Sequence, residues 1–101
     1  MRIREGLEID EERLAEICRR FHIRELSLFG SVLRDDFGPD SDVDVLYEGD
    51  IHLSPVPWAI VAFARELEEM FGRRVDVVGK NSIHWFIRDR VLDEARPMYA
   101  A

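Results

Sequence analysis

Three short runs rich in β-forming residues, Glu25–Phe29, Asp42–Tyr47 and Val75–Gly79, alternate with segments of helical periodicity. This alternation constrains the fold more than any other feature of the chain. Three short strands cannot bury themselves, so they must form a small mixed sheet covered by helices, an α/β (α+β) fold of three or more strands. The first helix is expected over Asp10 to Phe21, where Leu14, Ile17, Cys18 and Phe21 fall on one face and Asp10 suits the N-cap. A second is expected over Trp58 to Phe71, with Trp58, Val61, Ala62, Arg65 and Leu67 to Phe71 as its stripe and Gly72 as its C-cap. A third, Ser82 to Ala95, presents Ile83, Phe86, Ile87, Val91 and Ala95 on one side and stops before Pro97. A short helical turn over Ser31 to Arg34 and loops over Asp36 to Ser41 and Glu48 to Pro57 complete the order αβ(α)βαβα. No repeat or linker composition interrupts it, so residues 1–101 read as one domain.

Composition narrows the function classes. The chain carries 14 basic and 21 acidic side chains, a formal charge of −7, which speaks against holding a nucleic-acid backbone by bulk charge. A small phosphate ligand bound locally stays compatible. The 47% hydrophobic content argues against disorder. No apolar run is long enough for a membrane helix, and the opening residues lack the apolar stretch of a secretion signal. The single cysteine, Cys18, cannot pair internally and sits on an apolar helix face, which fits a buried thiol in a reducing cytoplasm.

The chemistry concentrates between Phe29 and Asp44. Gly30 stands where a strand turns abruptly into a short helix that Ser31 begins, and free backbone amides there, with the Ser31 hydroxyl, would cradle an anion. A turn glycine and an ordinary N-cap serine explain that junction equally well on its own. Asp42 and Asp44 lie two apart on a strand, on one face and ~6–7 Å apart along it, while Val43 and Val45 point the other way. Paired carboxylates repel unless a cation sits between them, and Mg²⁺, an oxygen-seeking ion that keeps places for phosphate, fits. A polar strand face open to water is the competing reading of a bare Asp-x-Asp. Asp40 to Asp44 imitates the start of a calcium loop, but Val45 and Ile51 stand where glycine and a bidentate glutamate are needed. Asp76, between Val75 and Val77, joins the pair if its strand lies alongside, and otherwise pairs with Arg73 or Arg74.

In combination these segments resemble a known signature. Gly30-Ser31, ten residues, then Asp42-x-Asp44 is similar to the motif of the DNA polymerase beta-like nucleotidyltransferases. Leu28 to Arg34 with Pro39 to Leu46, the Arg73 to Val78 segment and the Ile87 to Tyr99 stretch resemble the minimal nucleotidyltransferases across nearly the whole chain. The resemblance implies the polymerase beta-like fold, with Gly30 and Ser31 on the nucleotide phosphates, Asp42 and Asp44 on Mg²⁺, and Asp76 completing the metal site and helping to deprotonate the acceptor. Arg34 matches the family arginine that braces the loop or approaches phosphate. Members commonly transfer AMP from ATP, and many are antitoxins that silence a HEPN-domain ribonuclease toxin by adenylylating a tyrosine or by binding it. Two positions depart from the family pattern, Asp35 for a common glycine and Gly38 for a frequent arginine. Both would weaken ATP binding if they face the site, and so favour a rival antitoxin that acts by occlusion alone. Transfer to a small molecule is a third reading, by superfamily analogy. Trp58, Phe63, Phe71, Trp85 and Phe86 are expected mainly in the core, with Trp85 and the Ile51 to Trp58 loop as alternative partner surface. His22, His52 and His84 lack metal-site spacing, and Lys80 is expected at the surface.

Overall fold

A short hairpin opens the chain, β1 (Arg2–Arg4) against β2 (Leu7–Glu8), and leads into α1 (Glu11–Arg20). The central sheet contains β3 (Ile23–Phe29), β4 (Val43–Gly49), β5 (Val75–Gly79) and β6 (Arg96–Ala100), in the spatial order β5-β4-β3-β6. Helix α2 (Ala59–Phe71) joins β4 to β5, and α3 (Trp85–Glu94) joins β5 to β6. These coordinates are a computed structural model that describes residues 2–4, 7–34, 37–38 and 40–101.

The helices begin and end where local chemistry requires. The Asp10 carboxylate accepts the Arg13 N–H at 3.2 Å, while Glu11 and Glu12 in the first turn and Arg19 and Arg20 in the last oppose the helix dipole. Gly72 closes α2 in the left-handed region, at φ +70, and its N–H returns to the Glu68 carbonyl at 2.8 Å.

Handedness places the helices. β4 and β5 are parallel, and β6 runs antiparallel to β3, hence parallel to β5. The β4–α2–β5 crossover moves toward one edge of the sheet and the β5–α3–β6 crossover moves back toward the other. Two right-handed crossovers in opposite directions must lie on opposite faces. Accordingly α2 and α1 cover one face, where Leu26, Leu28, Val43 and Val45 meet Leu14, Ile17, Phe63 and Leu67 in a contiguous buried core. Phe63 is central to it, with its ring 5.5 Å from Phe21 and 6.4 Å from Tyr47. Helix α3 lies over the other face and has no fully buried residue.

Two expectations are corrected. The apolar stripe of α2 is carried by Phe63, Leu67 and Phe71, whereas Trp58 (83% exposed) and Val61 (45%) face outward. Trp58 precedes the helix in the left-handed region, at φ +55, which turns its ring away from the core. The residues after Pro97, read as a simple stop, form the edge strand β6. Pro97 sits opposite Ser27 beside an irregularity in the register, where an edge strand tolerates the missing N–H. Among the described residues no helix is long and apolar enough to cross a membrane. Phe63→Ala is expected to cost ~3–5 kcal/mol by opening a cavity between sheet and helices, read as a lowered midpoint in urea denaturation.

Candidate active site

The β4–β5 register sets Asp44 directly beside Asp76, with Val43 opposite Val75 and Val45 opposite Val77. Val43 and Val45 are buried in the core, so both aspartates point to the other face, under α3. There they line a recess of about 430 Å³ whose remaining wall is largely apolar, from Phe29, Val78, Ile83, Ile87 and Val91.

The Asp44 carboxyl is held above the usual carboxylate range. Burial is the main cause, the charges of Asp76 and Asp42 add to it, and a hydrogen bond from the Ser31 N–H with the nearby Arg34 charge partly offsets it. Gly30 makes that hydrogen bond geometrically possible. It sits at φ +75, and a side-chain Cβ there would run into the Asp44 carboxylate. The expectation of free amides at this turn is therefore corrected for Ser31, whose N–H is given to Asp44.

The structure does not gather all three predicted acids. Asp42 accepts from Arg74 Nε at 3.3 Å and lines a separate small recess with Asp40, Ser41 and Arg73. Among the described residues no three metal-ligating side chains converge. Asp42 is nonetheless close enough to raise the pKa of Asp44, and its side chain is 47% exposed. The donors fit a hard dication: oxygen ligands only, two of them adjacent and mutually repelling. Asp76 makes no ion pair with Arg73 or Arg74. Arg74 is committed to Asp42, and Arg73 donates to the Gly38 carbonyl at 2.8 Å and the Ser41 carbonyl at 3.1 Å, its guanidinium 4.3 Å from the centre of the Phe37 ring. Arg73 thus braces the loop before β4, a role that sequence spacing had no means of assigning.

Arg34 reaches Glu94 at 3.3 Å and ties the Gly30 turn to the end of α3. The Gly38 N–H donates to Ser41 Oγ at 2.9 Å. Asp35, the other departure from the family pattern, lies outside the described residues. Lys80 is spent on Glu48 (3.1 Å) and Glu25 (3.7 Å), as expected of a surface lysine. Cys18 is buried, and burial pushes its thiol up to about 12, so it is inert. Trp85 (78% exposed) and Phe86 (76%) stand outside the core, contrary to expectation. His84 at the recess rim caps α3, its Nδ1 accepting the Phe86 N–H at 3.1 Å.

A strand-borne carboxylate pair beside a glycine–serine turn is the arrangement of a metal-assisted phosphoryl or nucleotidyl transfer site. Comparison with known proteins agrees. Residues 11–97 match the model of the nucleotidyltransferase domain family. The chain belongs to this family, and nucleotidyl transfer is the reaction class that the family defines. It is 38% identical over 79 residues to the protein adenylyltransferase MntA of Thermococcus cleftensis, covering 78% of each chain. A solved structure assigned to the minimal nucleotidyltransferases superposes with a TM-score of 0.70 at 30% identity, over 87% of this chain and 88% of that one. The MNT antitoxin in complex with a tri-AMPylated HEPN toxin of Shewanella oneidensis shares the fold, with a TM-score of 0.60 at 17% identity over 90% of this chain and 70% of that one.

Two expectations follow from the geometry. Gly30→Ala should destabilise the fold by ~1–3 kcal/mol, combining a left-handed backbone with displacement of the Asp44 carboxylate, and thermal denaturation reads it. For Asp44 the raised pKa means that the folded chain holds the proton more tightly than the unfolded chain. Its contribution to stability is therefore greatest in acid and is lost as pH rises from the ordinary aspartate range through the raised value. Asp44→Asn, melted in chelator, should be more stable than wild type at pH 7 and should show no gain near pH 3.

Proposed function

We propose that this chain is a Mg²⁺-dependent adenylyltransferase of the cytoplasm that moves AMP from ATP to a hydroxyl, a tyrosine of a partner HEPN-domain toxin. The observation that carries the reading is the in-register Asp44–Asp76 pair beneath the Gly30–Ser31 turn. Bound Mg²⁺ would offset charge on the attacking and leaving oxygens of the α-phosphoryl group. The chain's own residues do the rest. Asp44 and Asp76 supply adjacent oxygen donors, and Asp42 joins them by leaving Arg74. The Ser31 hydroxyl and the Gly30 backbone hold the β and γ phosphates, and Arg34 approaches them once it parts from Glu94. Asp76, which forms no ion pair among the described residues, accepts the proton of the attacking hydroxyl. A protein acceptor is favoured by the exposed Trp85 and Phe86 at the start of α3, beside the recess, since exposed aromatics mark contact surface. The −7 charge suits a basic, RNA-cutting partner.

One set of contacts favours the rival reading, an antitoxin that acts by binding alone: Ser31 N–H, Arg34 and Asp42 are each already engaged within the chain. Incubation with α-labelled ATP, Mg²⁺ and the HEPN protein encoded beside this chain distinguishes the two. Wild type should label the partner, and Asp44→Asn/Asp76→Asn should cut labelling by at least ~100-fold, the loss expected when charge stabilisation at the transferring group is removed. A double variant that still silences the toxin fully would overturn transfer as the mechanism.

A further inference from the structure

Helix α2 and the residue that precedes it carry two stripes on opposite sides. Phe63, Leu67 and Phe71 face the core. Trp58, Val61, Ala62 and Arg65, at i, i+3, i+4 and i+7, run along the outer side and line an open groove of about 560 Å³. Trp58 is fixed there against its backbone preference. It lies in the left-handed region, which is unfavourable for a bulky L-residue, and its carbonyl accepts the N–H groups of Val61 at 2.9 Å and Ala62 at 3.0 Å. An exposed aromatic held in a strained conformation beside an apolar groove marks a contact surface. The acceptor of the transfer reaction does not fit it. Asp44 and Asp76 lie under α3, on the sheet face opposite α2, so a protein docked here could not bring a hydroxyl to them.

The charges along the groove identify an occupant. Glu66 is paired with Arg20 at 3.0 Å and Glu69 with Arg13 at 3.6 Å, whereas Arg65 has no ion pair among the described residues. The stripe therefore offers one electron-rich ring and one uncompensated guanidinium, two turns or ~10 Å apart. A basic partner would set its cations against Arg65. We propose that the occupant is a second copy of this chain, with the two α2 helices packed antiparallel about a two-fold axis. An axis beside Val61 and Ala62 places Trp58 of each copy opposite Arg65 of the other, and Val61 opposite Ala62. One symmetry operation makes both ring–cation contacts, which is the self-complementarity an isologous interface requires. The same register keeps Glu66 and Glu69 of the two copies apart. The 13 residues of α2 span only ~20 Å, too little for the ~800 Å² per partner of a stable interface, so the dissociation constant is expected at ~10–100 μM. Both recesses under α3 stay open in such a dimer, and the pairing does not depend on the transfer reading.

The test is sedimentation equilibrium of the full chain from ~5 μM to ~1 mM, where wild type should pass from monomer to dimer. Association should tighten as salt rises, because each copy carries a charge of −7. Trp58→Gly, which suits the left-handed backbone, and Arg65→Glu should each weaken association at least ~10-fold, with urea midpoints close to wild type. Trp58→Arg should do the same by setting two cations face to face. The double variant Trp58→Arg/Arg65→Glu should recover affinity to within ~5-fold of wild type, since its opposite charges meet only across an antiparallel pair. Trp85→Ser, on the other layer, should change nothing. A wild type that stays monomeric at ~1 mM would overturn the dimer, and a loss of HEPN-partner binding in Trp58→Gly would then give the groove to that partner. A double variant that fails to recover, or a dimer that Trp85→Ser dissociates, would overturn it equally. None of these outcomes bears on nucleotidyl transfer.

Discussion

The parallel pairing of β4 with β5 is the interaction on which the rest of the molecule depends. One register does two opposed things. On the core face it stacks Val43 and Val45 against Val75 and Val77, and on the other it forces Asp44 against Asp76. Buried valines favour the register, and adjacent carboxylates oppose it. A one-residue slip would reverse the faces, burying the acids and exposing the valines. The register is therefore fixed by the apolar side, and the repulsion is tolerated because it cannot be relieved without losing the core. Strain of this kind is what a bound cation removes.

The Gly30 turn belongs to the same arrangement. A left-handed glycine lets the chain leave β3 and pass close over Asp44, so that an amide rather than solvent meets the carboxylate. The pair is thus neither free nor neutralised. Asp44 has a hydrogen bond and the partial offset of the Arg34 charge, and Asp76 has no ion-pair partner among the described residues. A site left in this condition is prepared for a ligand that brings positive charge.

Much of this was legible in the sequence, for identifiable reasons. Helix α1 announced itself because Asp10, Leu14, Ile17, Cys18 and Phe21 combine a cap with a clean period. β4 and β5 did so because valines alternate with aspartates. The position of Asp76 beside Asp44 followed only if the strands were neighbours, and the parallel register makes them so. What was not legible depends on long-range packing. The inward face of α2 was misjudged because the stripe was drawn from Trp58 and Val61, whereas Phe63, Leu67 and Phe71, at i, i+4 and i+8, define the buried face and Val61 lies on the opposite side. β6 was hidden because a proline reads as a terminator, whereas at a sheet edge it needs no donor. The Arg74–Asp42 and Arg34–Glu94 pairs join residues 32 and 60 positions apart in sequence, beyond any local pattern.

The topology also gives α3 a length requirement. It carries the chain from β5 at one edge of the sheet to β6 at the other, a span of three interstrand spacings or ~14 Å. Its ten residues make a rod of ~15 Å. The helix is as long as the sheet is wide, like a rafter cut to its room. With one residue between its last turn and β6, there is little slack at that end. Its placement above the carboxylates is consequently tied to the edge strand β6 as well as to the side chains beneath it. An insertion or deletion in this helix would alter the roof of the recess, even if every residue facing Asp44 and Asp76 were kept.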